Sequence, residues 1–595
     1  MDENTLYDLL QGIEWIDLEL KESREKVPES AYETVSAFLN TEGGHIILGV
    51  NDDHEITGII NVDQVQSAFI GELQNPARFG SPVHFEDYIK SHEDKNILIF
   101  YIPEARRQDK PVYVKTKKKG RVAFIRRGGG DYQCSHEDLN RLINDAQVLR
   151  PDCQPVDANI DTCFDEDSIK WFRYRYDNKG GNRALEHLSN HDFLAELGLI
   201  IEQKNQRLPT LAAIVLFGKT AIVRQRIPRP IVDCFYYRFA SNHNNTGERW
   251  LKRTTCEYNL IQSWQAITDW YNSFAEVPFN LDPHTGQRID QPVDYIAFRE
   301  SVINLLSHQD FTDHTRWPVI ENFKDRIKFW NPGDAFAHTK SLLEPGVKEV
   351  RNPNIVRALR DIGFSEQSGW GLREVYRNAH DLGRVPPQIN NNKADKSFEL
   401  SLSRQQLISK QQQQFQQSLG LKLSAIEADA FAMLCWHPNA AVTIAELTVS
   451  LDVTGAQIQK IIKHLLTQQL IQQTDEHSIA LVEHIKNLKK QLIKENSDLT
   501  TDQVTDLTSG QVETNQKFSQ KQHEILSFCK QPQSMKAIQA YLNLTSRSYI
   551  REKLLKPLIE ADLLVMTNPN PKASNQQYVI TEAGAALRVA MMNDE

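Results

Sequence analysis

The chain has 595 residues, of which 40% are hydrophobic and 25% charged, and its formal net charge is −10. One hydrophobic core does not organise so long a chain, so we expect several domains. No apolar run reaches the roughly 20 residues that cross a bilayer. The acidic N-terminus lacks a secretion signal, and the seven cysteines form no CxxC pair, which argues against disulfides and structural zinc. We therefore expect a cytoplasmic protein without a membrane partner.

The first informative stretch is EWIDLELKES, at residues 14–23. Apolar residues alternate with acids and a lysine, which predicts a half-buried strand with its polar side chains on one face. Glu19 and Lys21 are then neighbours on that face, and Glu14 lies just before the strand. Spacing alone favours a surface strand with ordinary ion pairs, because exposed strands commonly carry such pairs.

The elements that follow supply more carboxylates. ESAYETVSAFLNTEGG has helical spacing, and HIILGV then predicts a buried strand, after which come Asp52 and Asp53. Clustered carboxylates repel one another unless a cation compensates them, and Mg²⁺ or Mn²⁺ prefers such oxygen ligands and bridges to phosphate. A metal site acting on a phosphodiester is therefore the second interpretation of this region.

A basic run, VKTKKKGRVAFIRRGGG, contains no acid. A local basic surface attracts a phosphate backbone even in a chain of negative net charge. A solvated hairpin turn is the alternative interpretation. The cations predicted to contact nucleic acid are Lys117, Lys118, Lys119, Arg121, Arg126 and Arg127.

Further along the chain, FRESVINLLSHQDF places Glu300 and Asn304 four residues apart, hence on one face of a helix. A carboxylate one turn from a carboxamide suits a water-activating base beside a metal ligand, although an ordinary amphipathic helix gives the same pattern. Gly369 and Gly371 precede another predicted helix, where backbone N–H groups can cradle a phosphate.

Two polar stretches separate the C-terminal modules from the body. SRQQLISKQQQQFQQSLG predicts a connector or a polar helix, and KENSDLTTDQVTDLTSGQVETNQ predicts a connector. The first module has helix-turn-helix spacing, with Thr454 as the predicted cap of its second helix. The second repeats the plan and offers Arg547 and Arg551 to a nucleic-acid groove. Both resemble winged helices, which also serve as protein-interaction units.

Several motifs occurring in order resemble the Schlafen AlbA-type domain. They are EWIDLELKES, TVSAFLNTEGGHIILGVNDDHEITGI, KPVYV and VAFIRRGGG. Animal members of that family are metal-dependent RNases that use two glutamates and an aspartate, and many bacterial members are described as DNA-binding or regulatory proteins. The resemblance implies that Glu14 and Glu19 are metal ligands and that Lys21 is the accompanying base.

The resemblance does not point directly to the third metal ligand. Asn51 stands where many relatives have aspartate, which leaves Asp52 or Asp53, and we assign Asp52. The implied cofactor is Mg²⁺ or Mn²⁺.

The stretches FRESVINLLSHQDF, RIKFWNPGDAF and VRNPNIVRALRDIGFSEQSGWGLREV together resemble the divergent ATPase-like segment of bacterial RecG-like regulators. That segment is similar to a degenerate GHKL ATPase fold. The resemblance implies ATP binding, with Glu300 as general base and Asn304 as Mg²⁺ ligand, and weak hydrolysis. The other residues implied to contact the nucleotide are Asn331 and Gly333 at the adenine and Gly369 and Gly371 in the lid.

We therefore predict a multidomain α/β and α protein. Its predicted parts are a Schlafen AlbA-like α+β domain (1–148), a GHKL-like α/β ATP-binding region (160–403), a winged helix (421–485) and a second winged helix (516–592). The predicted function is that of a nucleic-acid-binding regulator, in transcription or defence, with a metal-dependent nuclease site and an ATP-sensing segment. The alternatives are a non-catalytic DNA-binding regulator and an ATP-driven clamp. DNA or RNA is the expected partner, and homo-oligomerisation is left open.

Overall fold

The computed structural model describes most of the chain. The described residues are 17–51, 53–92, 94–147, 149–242, 249–275, 277, 280–281, 288–289, 292–344, 346, 348–364, 370–437, 441–475, 477–489, 525–526, 528–542, 550–560, 563–567 and 577–581. They form two compact units, Met1–Lys490 and Gln491–Glu595. No helix in these ranges is long and apolar enough to span a membrane.

Helices and strands alternate along the first unit. Its first helices are α1 (Glu29–Asn40), α2 (Val62–Leu73), α3 (Pro76–Phe79), α4 (His136–Ala146), α5 (Ile160–Cys163), α6 (Glu166–Asn178), α7 (Asn190–Glu196), α8 (Leu211–Phe217) and α9 (Thr220–Arg226). The following helices are α10 (Leu260–Asn272), α11 (Tyr295–His308), α12 (Pro353–Asp361), α13 (Trp370–Asp381), α14 (Lys410–Ser418), α15 (Ala425–Trp436), α16 (Ile444–Ser450) and α17 (Gly455–Thr467). Short 3-10 turns occur at Arg107–Asp109, Pro151–Cys153, Arg183–Leu185 and Thr339–Ser341.

The strands of the first unit build several sheets. The first ten are β1 (Leu18–Lys21), β2 (Gly44–Leu48), β3 (Glu86–His92), β4 (Lys95–Ile102), β5 (Tyr113–Thr116), β6 (Gly120–Arg127), β7 (Gly130–Gln133), β8 (Ile200–Gln203), β9 (Gln206–Pro209) and β10 (Val232–Tyr236). The next ten are β11 (Lys252–Cys256), β12 (Asn280–Leu281), β13 (Arg288–Ile289), β14 (Val319–Asn322), β15 (Arg326–Pro332), β16 (Gln388–Asn392), β17 (Ser397–Ser403), β18 (Ala441–Thr443), β19 (Ile471–Asp475) and β20 (Ser478–Leu481).

The N-terminal region combines a four-stranded sheet, in the order β1-β2-β4-β3, with a three-stranded sheet, β5-β6-β7. Helix α1 is buried along most of its length because its apolar side chains fill the core between these sheets. Buried Asn40 at the end of α1 holds the β5–β6 hairpin in place. Its amide accepts from the Val112 N–H at 2.7 Å and donates to the carbonyl oxygens of Val112 and Phe124 at 3.0 and 2.9 Å.

The central region contains a six-stranded mixed sheet in the order β11-β10-β14-β15-β17-β16. Strand alternation separates its two faces, as expected for a half-buried sheet. Residues such as Cys234, Ile327 and Leu400 point into the largest hydrophobic core. The side chains that alternate with them, such as Lys328 and Glu399, are partly exposed. The prediction of a mixed α/β multidomain protein is confirmed.

A buried ionic cluster joins the N-terminal and central regions. Arg351 pairs with Asp145 from helix α4 and, at 3.1 Å, with Asp334, which follows β15. Lys396 lies 3.2 Å from the other Asp145 oxygen and 3.5 Å from Asp334. We call these four residues the Arg351 cluster. Burial opposes ionisation of Asp145, but Arg351 and Lys396 outweigh it and hold its pKa at about 2.

After the central region, the Gln-rich tract forms the polar helix α14 rather than an unstructured connector. Helices α15, α16 and α17 then pack with a three-stranded sheet in the order β18-β20-β19. Thr454 caps α17, as predicted, by accepting a hydrogen bond from the Gln457 N–H. Helix α16 packs against α13 of the central region, and Arg377 on α13 lies 3.4 Å from Asp452, which follows α16.

The second unit has its own small core, which includes Ile525, Leu558 and Tyr578. Its described elements are β21 (Gln533–Ser534), α18 (Met535–Tyr541), a π-helical turn (Ile550–Leu555), α19 (Lys556–Glu560), β22 (Leu564–Met566) and β23 (Gln577–Ile580). The strands pair in the order β21-β23-β22.

The substitution Arg351→Met should lower the free energy of unfolding by about 3–5 kcal/mol, because it leaves two buried carboxylates short of a cation. The loss should be measured by urea unfolding of the full chain. Since the pKa of Asp145 is depressed, its stabilisation is present above the unfolded value of about 3.9 and is lost as pH falls towards about 2.

The difference between wild type and Arg351→Met should therefore shrink on acidification from pH 4 to pH 2. Arg360→Met is a matched control, because Arg360 on α12 is 38% exposed and its acidic neighbour Asp361 is partly exposed as well. Equal unfolding curves for Arg351→Met and wild type would contradict the role of the cluster.

Candidate functional site

Glu19 lies on β1 with its side chain largely buried, at 6% exposure of the residue. Both carboxylate oxygens have cationic partners. Oε1 accepts a hydrogen bond from the Lys21 ammonium, and Oε2 accepts one from Arg126 at 2.6 Å. The predicted same-face pairing of Glu19 and Lys21 is confirmed. The partner that sequence reasoning missed is Arg126.

Arg126 was predicted to belong to an exposed basic surface, and that prediction is wrong. Its side chain is fully buried because alternation along β6 turns it into the interior and leaves Arg127 outside. The guanidinium donates to Glu19, to Asp131 at 3.0 Å and to the Leu18 carbonyl oxygen at 2.6 Å. Asp131 also accepts a hydrogen bond of 2.5 Å from Thr34 on α1. Arg126 therefore neutralises two carboxylates inside the domain.

The surroundings of Glu19 do not fit a divalent cation. Its oxygens are already engaged by an ammonium and a guanidinium, which supply the positive charge that a metal would bring. Within the described ranges, no group of three or more His, Cys, Asp or Glu side chains is placed to hold a metal ion. The other two predicted ligands, Glu14 and Asp52, lie outside the described residues.

The β5–β6 hairpin presents the remaining cations of the basic run. Lys117, Lys118 and Arg121 are exposed, and no acidic side chain among the described residues pairs with them. Lys119 lies 3.4 Å from Glu33. The hairpin tip therefore carries a concentrated positive charge, as the sequence predicts.

Arg127, at the far end of β6, is committed to ion pairs. It bonds Asp138 at 3.0 Å and Asp395 at 3.1 Å. Since Asp395 belongs to the central region, Arg127 also contributes to the contact between the two regions. It is therefore less available to a phosphate than the hairpin tip.

A second group of predicted site residues converges where α11 meets α13. Glu300 and Asn304 lie one turn apart on α11. A Cβ built on Gly371, at the start of α13, would lie 3.2 Å from Glu300 Oε2 and 3.6 Å from Asn304 Nδ2. The structure thus brings all three together, and the absence of a side chain at Gly371 leaves room beside the two polar groups. Gly369 lies outside the described residues.

The carboxylate of Glu300 also has a cationic neighbour that sequence reasoning did not include. Arg299 donates to Glu300 Oε1 at 2.5 Å. Carboxylate and carboxamide oxygens together with a close backbone approach fit a Mg²⁺-bound nucleoside triphosphate. Asn304 would supply a ligand to the metal, and Glu300 would orient water.

Asn331 and Gly333, the predicted adenine contacts, serve internal structure. The Asn331 amide is buried and donates to the carbonyl oxygens of Pro332 and Gly333 at 3.2 and 3.3 Å. Gly333 has φ +99°, and a Cβ there would lie 2.8 Å from Arg351 Nε. Both residues therefore shape the turn against the Arg351 cluster. Gly333 also lies beside Asp310, beyond the C-terminal end of α11, and roughly 12 Å of helix axis separates Glu300 from that end.

The region from α15 to β20, which we call the helix-turn-helix region after the motif predicted for it, exposes a polar helix surface. On α17, Gln457, Lys460 and Lys463 are all exposed. In the second unit, Arg551 is exposed in the π-helical turn, whereas Arg547 lies outside the described residues.

Comparisons with known families identify three regions. Residues 14–135 match the family described as "Schlafen, AlbA_2", and residues 316–402 match "Putative ATP-dependent DNA helicase recG C-terminal". Residues 140–233 match a domain of unknown function, DUF8451. The chain therefore contains a Schlafen AlbA_2 domain and a RecG-like ATPase-related segment, and the predicted resemblance is confirmed.

Two solved structures are similar to the chain. The crystal structure of the DIP2311 protein from Corynebacterium diphtheriae has 14% identity and a TM-score of 0.38, over 83% of this chain and 98% of that one. The NMR structure of the N-terminal domain of a "Putative ATP-dependent DNA Helicase RecG-related Protein" from Nitrosomonas europaea has 27% identity and a TM-score of 0.17, over 22% of this chain and 92% of that one. No curated protein matches the chain.

The substitution Arg126→Met should destabilise the N-terminal region by about 3–5 kcal/mol, because Asp131 and Glu19 would share a buried site without their common cation. Thermal unfolding of the full chain measures the effect. Arg121→Met, on the same strand but exposed, is the matched control and should change stability by no more than about 0.5 kcal/mol. Equal losses in both variants would contradict the neutralising role of Arg126.

Proposed function

We propose that this chain, with its Schlafen AlbA_2 domain and RecG-like segment, is a nucleic-acid-binding regulator that senses ATP and does not cleave at Glu19. One observation carries the proposal: the N-terminal domain presents cations at its hairpin tip and neutralises Glu19 and Asp131 in its interior with Arg126. Lys117 and Lys118 are exposed, whereas Glu19 is bonded to buried Arg126. Such a domain attracts phosphates and lacks a free carboxylate at Glu19 to ligate a metal.

The hairpin is suited to contact a phosphate backbone. Two antiparallel strands fit the width of a nucleic-acid groove, and lysines at the tip would displace counterions from the phosphates. The hydrogen bonds from Asn40 to Val112, just before β5, and to Phe124 on β6 keep the hairpin in place against α1. Contact with nucleic acid would therefore order few additional residues.

The C-terminal modules support the same proposal. The order α15-β18-α16-α17-β19-β20 resembles that of a winged helix, and α17 exposes Lys460 and Lys463 on the helix that contacts DNA in such modules. The second unit has a comparable arrangement of short helices and a three-stranded sheet. Several moderate contacts on one chain would raise the overall affinity.

For the ATP-sensing part, the convergence of Glu300, Asn304 and Gly371 supports Mg²⁺-nucleotide binding. The bound metal would neutralise phosphate charge. One feature argues for weak turnover: the Glu300 carboxylate is paired with Arg299 and is therefore less free to accept a proton from water. A second argues against adenine recognition at Asn331, because its amide already bonds neighbouring carbonyl groups. These features fit a sensor better than an efficient ATPase.

The double substitution Lys117→Gln/Lys118→Gln should weaken binding to a DNA duplex several-fold at low salt. The slope of log affinity against log salt should fall by about 2, one for each phosphate contact removed. Fluorescence anisotropy with a labelled duplex measures both quantities. Lys170→Gln/Lys204→Gln, which removes two other exposed lysines, is the matched control and should leave the slope unchanged.

Cleavage is followed in the same samples with labelled RNA and DNA and added Mn²⁺. Metal-dependent cleavage by wild type that disappears in Glu19→Gln would overturn the non-cleaving proposal. An unchanged salt slope in the hairpin variant would remove the hairpin from the interface.

The substitution Asn304→Ala should weaken binding of a non-hydrolysable ATP analogue with Mg²⁺ by about 10-fold or more, because it removes a metal ligand. Isothermal titration calorimetry measures the affinity with and without Mg²⁺, and the loss should appear only with Mg²⁺. Asn178→Ala, at an exposed position on α6, is the control. A wild-type titration without heat would contradict the ATP proposal.

A further inference from the structure

One face of the six-stranded sheet has no role in the functions proposed above. We call it the polar sheet face. It consists of the side chains that alternate with the core positions of the sheet, and these are partly or fully exposed at many positions. From β10 across to β16, its exposed or partly exposed members include Phe235, Glu321, Arg326, Lys328, Trp330, Glu399, Gln388 and Asn390.

Aromatic rings form a row at one side of this face. Phe235 lies 5.5 Å from Trp250 and 6.2 Å from Tyr237, measured between ring centroids. Tyr237 stacks on Phe323 at 4.7 Å with an angle of 8° between the rings. Trp250 is 39% exposed although it has a large apolar surface. Phe323 is buried, whereas Phe235, Tyr237 and Trp250 are partly exposed, and partly exposed rings offer stacking surfaces to flat ligands.

Cations accompany these rings. The guanidinium of Arg253 lies over both Phe235 and Trp250, at 5.2 and 5.4 Å from the ring centroids. On β15, two strands from β10, Arg326 and Lys328 lie on the same face. Arg253 is held by Asp233 at 2.6 Å and Arg326 by its neighbour Asp325 at 2.9 Å, whereas Lys328 forms no ion pair within the described residues. Rings beside the partly exposed Arg326 and Lys328 suit a ligand that is aromatic and anionic at the same time.

The face continues into a large cleft. Arg326, Lys328, Gln388 and Asn390 line a cavity of about 1550 Å³ between the sheet, the N-terminal region and the helix-turn-helix region. Sites for small molecules commonly measure about 300–1000 Å³. The size therefore favours an extended ligand, of which only part lies in the cleft.

We propose that the polar sheet face binds single-stranded nucleic acid, with bases stacked on the aromatic row and phosphates near Arg326 and Lys328. Bases stack on aromatic side chains regardless of sequence, and cations follow the backbone, which is how sequence-tolerant single-strand sites are built. This site is separate from the β5–β6 hairpin and goes beyond the function proposed above. A duplex does not satisfy it, because paired bases are not free to stack on side chains.

The test uses the full chain and fluorescence anisotropy with three labelled oligomers of about 30 nucleotides: oligo-dT, oligo-rU and an abasic strand of equal charge. Oligo-dT, oligo-rU or both should bind about 10-fold tighter than the abasic strand, and the better binder identifies the source as DNA or RNA. Trp250→Ala should lower affinity for the better binder about 10-fold and leave the abasic strand unaffected. Trp250→Phe should retain most of the affinity.

Tyr174→Ala is the matched control, because Tyr174 is 68% exposed and belongs to helix α6, which is not part of this sheet. Equal binding of the abasic and base-carrying strands would overturn the proposal, as would full affinity in Trp250→Ala with a wild-type melting temperature. If the wild type self-associates and Trp250→Ala does not, the face binds a second copy of the chain, and the proposal is overturned.

The two nucleic-acid sites can fail separately. Lys117→Gln/Lys118→Gln removes positive charge, so it should weaken binding of the abasic strand and of the duplex alike. Trp250→Ala removes a stacking surface, so it should weaken binding only of strands that carry bases. A hairpin effect without a Trp250 effect therefore rejects the sheet site and leaves the proposed function standing.

Discussion

The arrangement of the first unit depends on the Arg351 cluster. Charges buried without partners are costly, and here two carboxylates and two cations compensate one another across two regions of the chain. The cost of burial is visible close by, where Lys110 has its pKa lowered to about 8 by burial even though Glu104 lies 2.6 Å away. Because Asp145 of the N-terminal region has its cationic partners Arg351 and Lys396 in the central region, the cluster favours the packing in which these side chains meet.

The same principle operates inside the Schlafen AlbA_2 domain. Arg126 occupies the interior beside Glu19 and Asp131, so positive charge is supplied by the protein itself. An arginine fixed on a strand cannot be exchanged or diluted, in contrast to a dissociable ion. Arg126 thus links β1 to β6 and, through Asp131 on β7, to Thr34 on α1. The buried ion pairs and the exposed cations therefore occupy different ends of the β6 strand.

Local patterns predicted what local geometry decides. Alternation in EWIDLELKES placed Glu19 beside Lys21, and four-residue spacing placed Glu300 beside Asn304. Alternation places Arg126 and Arg127 on opposite sides of β6, but which side is interior, like the structural role of Gly333, depends on partners far along the chain. Glu19 and Arg126 are 107 residues apart. Nothing in either local sequence indicates the other residue.

Helix α13 contacts both α11 of the central region and α16 of the helix-turn-helix region. Its first turn, at Gly371, lies against Glu300 and Asn304, and a later turn packs on α16 of the helix-turn-helix region. A helix of this length spans about 18 Å and transmits displacement with little bending. If an occupant of one end changes the affinity at the other, thermodynamic linkage requires the converse change by an equal factor. A ligand bound by the region of α16 and α17 would then change the affinity for the nucleotide, and the nucleotide would change the affinity for that ligand by the same factor.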